Sequence, residues 1–303
     1  MIKIKIVSRQ QQRYVQLLTA AKLPQLVITE DPNQATVLLA DPPLIATSLN
    51  DYPHLQWLQS TYAGIDTLIK PHLRQDYQLT NIRGIFGPLI AEYVIGHILN
   101  YQRHFCRYAL QQQQQQWHPI SYQSMATKTM VIVGTGTIGQ HLAKVAAAFG
   151  CRIIGVNRSG ISASTDFNHT YAISDLDCAL TQADYVVSIL PATSQTDDVF
   201  DRHHLKHCKN ALFFNVGRGN SVNEADLIHA LEQHYLQHAF LDVFKHEPLA
   251  TDHPFWDHPQ ITITPHIAAE SFPEQVFTIF KTNYLRFQQQ QKLEYLIDLK
   301  RGY

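Results

Sequence analysis

The chain has 303 residues, with 24 Lys and Arg against 25 Asp and Glu and a net charge of −1. That balance gives no global pull toward nucleic acid or anionic membranes. At 45% hydrophobic and 16% charged it is a globular composition, enough for about two domains of roughly 150 residues each.

The N-terminal third alternates short apolar runs with amphipathic stretches. IKIKIV, LVIT, TVLLA and LQWLQST read as strands, and RYVQLLTAAKL as a helix. This βαβ rhythm predicts a parallel sheet covered on both faces. In GPLIAEYVIGHILNYQRHFCRYALQQQQQQW, Pro88 fits a helix start and the apolar spacing after it is helical. The glutamine runs Gln111–Gln116 and Gln288–Gln291 read as solvated helix or loop. A second βα series begins at Thr129 with MVIVG, then a helix ending on Gly150 and the strand RIIGV. ADYVVSILP, ALFFNVG, QHAFLDV and ITITP complete it, with EADLIHALEQHYL helical between them. The expected organisation is a first domain over 1–100, a middle domain over 101–270, and a last helix from about Phe272 returning to the first. The start MIKIKIVSRQQQ lacks the apolar region of a signal peptide, and no apolar run approaches the roughly 20 residues that span a bilayer. Cys106, Cys151, Cys178 and Cys208 lack CxxC spacing, so reduced thiols in a cytoplasmic, metal-free protein are expected.

Gly134, Gly136 and Gly139 form G-x-G-x-x-G between a strand and a helix opened by Thr137 and Ile138. One glycine makes the turn, one lets backbone approach a pyrophosphate, and one allows close strand–helix packing, while the helix N-terminus favours the phosphate charge. An acid gripping the adenosine ribose is normal about 20 residues on; here GVNRSG offers Asn157, Arg158 and Ser159. Asn157 is neutral and can donate, the Arg158 fork suits a 2′-phosphate, and Ser159 adds a hydroxyl. NADP(H) is therefore the expected cofactor, with NAD(H) open as the alternative if Arg158 lies over the adenine or is a surface charge.

Three segments follow predicted strands: FFNVGRGN with Arg218, LDVFKHEPL with Glu247, and TITPHIAA with His266. In open parallel sheets, ligand chemistry collects outside the carboxyl ends of the strands. Each residue alone has an ordinary surface reading, and His is abundant at 17 copies. Together, after a dinucleotide turn, they resemble the D-isomer-specific 2-hydroxyacid dehydrogenases. VGTGTIGQ, LPATSQT, NVGRG, LDVFKHEPL and TPHIAA stand in that family's order, and STYAGID and GIFGPLIAEYV match its N-terminal segments. The ADPP loop, the Gln-rich arm ending QQWHP and the terminal RGY look most like the glyoxylate/hydroxypyruvate reductase branch.

The resemblance implies two doubly wound α/β domains, a flavodoxin-like substrate domain with a Rossmann-like nucleotide domain inserted, and a cleft between them that closes on the cofactor. It implies that Arg218 binds the substrate carboxylate and polarises the C2 carbonyl, and that His266 is the general acid. Glu247 pairs with His266 and should raise its pKa, placing the reduction optimum near or below pH 7. Ala63 and Gly64 in STYAGID would present backbone N–H groups to the substrate. Asp242 would orient the nicotinamide carboxamide, with Pro191, Thr196 and Val216 along the cofactor. Asn215 reads as backbone support. Phe105, Tyr108 and Trp117 sit in the arm that builds a two-fold dimer in the family, with intrachain packing as the alternative. The expected reaction is NADPH-dependent reduction of a small 2-oxo acid, glyoxylate or hydroxypyruvate, to the D-2-hydroxy acid. A broader 2-ketoacid reductase and D-lactate dehydrogenase stay open, and Leu44, Tyr62 and Phe86 would bear on substrate size. Phosphoglycerate oxidation fits less well, since Arg83 is the nearest cation to the N-terminal loops. A dinucleotide-sensing corepressor of the same fold is the rival from another class.

Overall fold

The computed structural model describes residues 1–70, 72–162 and 164–299. The terminal RGY lies outside them. The chain divides into two compact units, Met1–Ile85 with Ser271–Tyr303, and Phe86–Glu270.

The first unit opens with β1 (Ile2–Val7), α1 (Gln11–Ala21), β2 (Leu26–Ile28), β3 (Val37–Ala40), α2 (Pro42–Ile45), β4 (Trp57–Ser60) and β5 (Gln78–Thr80). The strand order is β2-β1-β3-β4-β5, with every pairing parallel. This is the flavodoxin-like order, whose direction reverses between β1 and β3. All four residues of both β3 and β4 are buried, as a sheet covered on two faces demands.

The second unit starts with α3 (Phe86–Gln102) and α4 (Phe105–Gln113). It continues through β6 (Thr129–Val133), α5 (Thr137–Ala148), β7 (Arg152–Asn157), β8 (His169–Ala172), α6 (Leu176–Leu180) and β9 (Tyr185–Ser188). Then come α7 (Arg202–Leu205), β10 (Ala211–Asn215), α8 (Glu224–Glu232), β11 (Leu236–Leu241) and β12 (Ile261–Ile263). Its parallel sheet runs β12-β11-β10-β9-β6-β7-β8, the Rossmann order with an extra strand beyond β11. Alternation along the strands separates two cores. Val131, Val133, Ile154, Val156 and Phe213 face one layer, while Met130, Ile132, Ile153, Leu212 and Phe214 face the other.

Helix α3 packs on α5 so closely that a Cβ on Gly87 would come within 2.7 Å of the His141 Cβ. Its buried residues Ile90, Ala91, Val94, Ile95 and Ile98 share a core with Leu142, Ala143 and Ala146 of α5. Residues 86–100 therefore go with the second unit, whereas the sequence pattern placed them with the first. The helical stretch is also broken: His104 takes a left-handed φ of +56°, and α4, which follows it, has no buried residue. The glutamines of the first run are exposed apart from a half-buried Gln111.

Helix α9 (Pro273–Gln288) rejoins the first unit. Phe280 stacks on Trp57 at 5.3 Å between ring centroids, and the buried Asn283 amide donates to Gln59 Oε1 (3.2 Å) and the Glu294 carbonyl (3.0 Å). Two strands escaped the sequence pattern. β5 has three residues, and β8 is HTYA with no buried position.

Candidate active site

The glycine turn has the geometry its residues require. Gly134 leaves β6 at φ +110°, and a Cβ there would lie 2.9 Å from the Ile189 carbonyl oxygen. A Cβ on Gly139 would meet the Gly134 carbonyl oxygen at 2.1 Å, so any side chain would push α5 off the strand. Gly136 differs: nothing lies within 4 Å of its Cβ position, and it caps α5 without a side-chain hydrogen bond. Open space at the start of a helix whose first N–H groups lack intrahelical partners is a cradle for a pyrophosphate. The residues present thus fit a dinucleotide, with Thr137 and Ile138 in the first helical turn.

Beyond β7, Asn157 acts as a brace. Its Nδ2 donates to Thr135 Oγ1 (2.9 Å) and to the Ile161 carbonyl (2.7 Å). Its Oδ1 accepts from the backbone N–H of Ser159 (3.0 Å) and Gly160 (2.8 Å). The amide is thereby committed to shaping the turn and tying it to the glycine loop, and Arg158 and Ser159 are left exposed. The loop after β9 is compact, with Thr196 Oγ1 donating to the Pro191 carbonyl (2.6 Å) and accepting from the Thr193 N–H (2.9 Å). Val216 N–H bonds the Ser188 carbonyl at 3.1 Å. A Cβ on Gly217 would stand 2.6 Å from both N and O of Leu190, so the loops after β9 and β10 touch backbone to backbone.

Arg218 follows β10. Its carbonyl accepts from Asn215 Nδ2 (3.1 Å) and Ser221 Oγ (2.9 Å), and its Nη1 donates to the Gly217 carbonyl (2.8 Å). Asn215 is thus backbone support. Gly219 sits where a Cβ would fall 1.9 Å from the Phe244 carbonyl carbon, which seats this loop directly against the one carrying Glu247.

The Glu247 carboxylate is divided between two donors. Oε1 accepts from the Phe244 N–H (3.0 Å), and Oε2 lies 2.7 Å from His266 Nδ1. A carboxylate can only accept, so Nδ1 carries the proton and the pair leaves Nε2 unengaged. Burial pushes the Glu247 pKa up, but the His266 bond, the Phe244 N–H and the charges of His266 and Arg218 outweigh it and hold the carboxyl below its usual value.

His266 itself sits at φ +56°, a costly conformation for a non-glycine residue. Its N–H bonds the carbonyls of Asp242 (2.9 Å) and Thr264 (3.0 Å). The Asp242 carboxylate, 2% exposed, takes the Thr264 hydroxyl (2.6 Å) and the N–H groups of Ile267 (2.8 Å) and Ala268 (2.9 Å). Asp242 thus fastens the loop on both sides of His266.

Residues 95–268 match the family model described as D-isomer specific 2-hydroxyacid dehydrogenase, NAD binding domain. The chain belongs to the D-isomer specific 2-hydroxyacid dehydrogenases. It is an NAD(P)-dependent oxidoreductase. A D-isomer specific 2-hydroxyacid dehydrogenase family protein from Aeromonas salmonicida superposes with a TM-score of 0.94 at 44% identity, over 98% of this chain and 99% of that one. The NADPH-dependent glyoxylate/hydroxypyruvate reductase of Sinorhizobium meliloti, solved with NADP and sulfate, gives 0.87 at 26% identity over the whole of both chains. Glyoxylate/hydroxypyruvate reductase A of Serratia proteamaculans is 35% identical over 216 residues, 71% of this chain and 68% of that protein.

Ala63 and Gly64 lie in the first unit, on the loop after β4. Asn81 Nδ2 holds the Ala63 carbonyl at 2.8 Å, Arg83 Nε donates to Asn81 Oδ1 at 3.1 Å, and Thr61 Oγ1 donates to buried Asp41 Oδ1 at 2.6 Å. The sequence pattern singled out neither Asp41, Thr135 nor Thr264. Their roles come from what their side chains meet across neighbouring strands, which no local motif encodes.

Proposed function

We propose that this dehydrogenase reduces a small 2-oxo acid of the glyoxylate or hydroxypyruvate type to the D-2-hydroxy acid, with NADPH as the preferred reductant. The observation that carries the reading is the His266–Glu247 pair at 2.7 Å beside the Arg218 loop. The nicotinamide cofactor, when bound, supplies the hydride that reaches C2. Arg218 holds the substrate carboxylate and polarises the carbonyl, a two-point task suited to a planar guanidinium. His266, its ring fixed through Nδ1, delivers the Nε2 proton to the carbonyl oxygen and is stabilised as imidazolium by Glu247. Ala63 and Gly64, in the first unit, offer backbone N–H groups suited to a substrate carboxylate. Oxidation runs the sequence backwards, with His266 taking the proton.

The cofactor preference rests on Arg158 and Ser159 standing exposed on a turn without a carboxylate. An acid there would repel a 2′-phosphate, whereas Arg158 pairs with it. Asp242 keeps the carboxamide of the cofactor in place besides fastening its own loop. The apolar side chains of α4 and the following arm, Phe105, Tyr108, Leu110 and Trp117, are all exposed, which supports a homodimer formed through this arm. No described helix is long and apolar enough to cross a membrane, and all four cysteines are free thiols, which supports a cytoplasmic enzyme.

Initial rates with NADPH and NADH, each against glyoxylate, hydroxypyruvate, pyruvate, 2-oxobutyrate and phenylpyruvate, test the reading. The expected pattern is highest kcat/KM for NADPH with glyoxylate or hydroxypyruvate. Preference for NADH, or for phenylpyruvate, would contradict it.

A further inference from the structure

Tyr93 belongs to no catalytic motif. It projects from the middle of α3, and its hydroxyl lies 2.7 Å from Thr264 Oγ1. Thr264 Oγ1 in turn lies 2.6 Å from Asp242 Oδ1. The directions of these bonds follow from donor counting. A carboxylate accepts, so the single Thr264 proton goes to Asp242; the Thr264 oxygen then accepts, and its donor is the Tyr93 hydroxyl. Burial is the main reason that the Tyr93 phenol is pushed up to about 12, so it remains a donor across the working pH range.

The far end of this chain is the His266 loop. Asp242 accepts the N–H groups of Ile267 and Ala268, and its carbonyl accepts the His266 N–H. A non-glycine residue at φ +56° persists only where its surroundings over-determine it. Two backbone bonds from Asp242 and one carbonyl contact supply part of that constraint. The hydroxyl of Thr264 fixes the carboxylate that makes them, and Tyr93 fixes the hydroxyl.

We propose that Tyr93 and Thr264 are positioning residues for His266, anchoring its loop to the rigid helix α3 through Asp242. Neither touches substrate. The effect on turnover rests on His266 being the proton donor; the effect on the loop does not.

The test uses Tyr93→Phe, Thr264→Val and Thr264→Ser in the full-length protein, with hydrogen exchange of individual amides alongside steady-state kinetics. In Thr264→Val the Ile267 and Ala268 amides should exchange about tenfold faster, while β6, β9 and β10 keep their protection. With the preferred 2-oxo acid, kcat should fall about 10–100-fold and KM stay within about twofold, the signature of a displaced reacting group. Tyr93→Phe should act in the same direction and more weakly. Thr264→Ser, which keeps the hydroxyl, should restore both readouts. Unchanged exchange at Ile267 and Ala268 in Thr264→Val overturns the proposal even if His266 proves essential. So does faster exchange spread over the whole unit that Thr264→Ser fails to repair. If no 2-oxo acid is turned over, the reductase reading fails but the exchange measurement still decides this one.

Discussion

Each parallel sheet carries a buried aspartate at the carboxyl end of a strand, and the two are wired alike. Asp41, after β3, takes the Thr61 hydroxyl from the end of neighbouring β4 (2.6 Å) and the Arg9 N–H from the loop after β1 (2.9 Å). Asp242, after β11, takes the Thr264 hydroxyl from the end of neighbouring β12 (2.6 Å) and two N–H groups beyond it. In both, a carboxylate satisfied by a threonine one strand away fixes the exit of a loop, since an unpaired buried charge there would be costly. The difference lies in the cargo. The loop at Asp41 leads to Ala63 and Gly64, which under the proposed function offer only backbone; the loop at Asp242 carries His266, whose ring under that function has to be aimed. The second aspartate accordingly makes one more bond and holds the residues immediately following its cargo. On the proposed function, the additional bond falls where a side chain reacts.

Removing each carboxylate should break this comparison in a graded way. Asp242→Ala leaves three donors without their partner and should lower stability by on the order of 3 kcal/mol, with kcat down about 100-fold. Asp41→Ala leaves two and should cost about 2 kcal/mol, with the loss appearing in KM for the 2-oxo acid more than in kcat. Thermal melts and steady-state kinetics on both variants check this; equal kcat losses would dissolve the distinction between a backbone loop and a side-chain loop.

Acid titration sharpens it further. The Glu247 carboxyl is held below its ordinary value of 4.5. A depressed carboxyl contributes stability above its unfolded pKa and loses it as pH falls through the folded one. The stabilising effect of the Glu247–His266 pair should therefore persist at pH 5 and disappear only below about 4.5. Comparing melts of the parent and Glu247→Gln from pH 3.5 to 7 should show the gap between them closing at the acid end. The smallest change is expected at the periphery of the nucleotide site: Arg158→Ala should raise the KM for NADPH about tenfold and leave that for NADH within about twofold.

How much of this was legible beforehand depended on locality. The glycine turn could be read residue by residue because each glycine answers a contact within a few positions: Gly139 meets Gly134 itself. The central strands of the second unit's sheet were legible because burial on two faces forces continuous apolar runs, as in VIV and LFF. Short, polar β8 was not, and neither was the break at His104, where no glycine or proline signals the left-handed turn. Asn157 was visible as the absence of an acid, but its brace to Thr135 spans 22 positions. The Tyr93–Thr264 bond spans 171, and only folding brings it together.

The measurement that bears most directly on the account is NADPH consumption with glyoxylate or hydroxypyruvate by the parent and by His266→Ala, with NADPH affinity followed separately by fluorescence titration. The account predicts turnover in the parent, a fall in kcat of about 10²–10⁴-fold in the variant, and NADPH affinity changed by less than about twofold. A variant that keeps the parent rate, or a parent that turns over neither substrate, would contradict it.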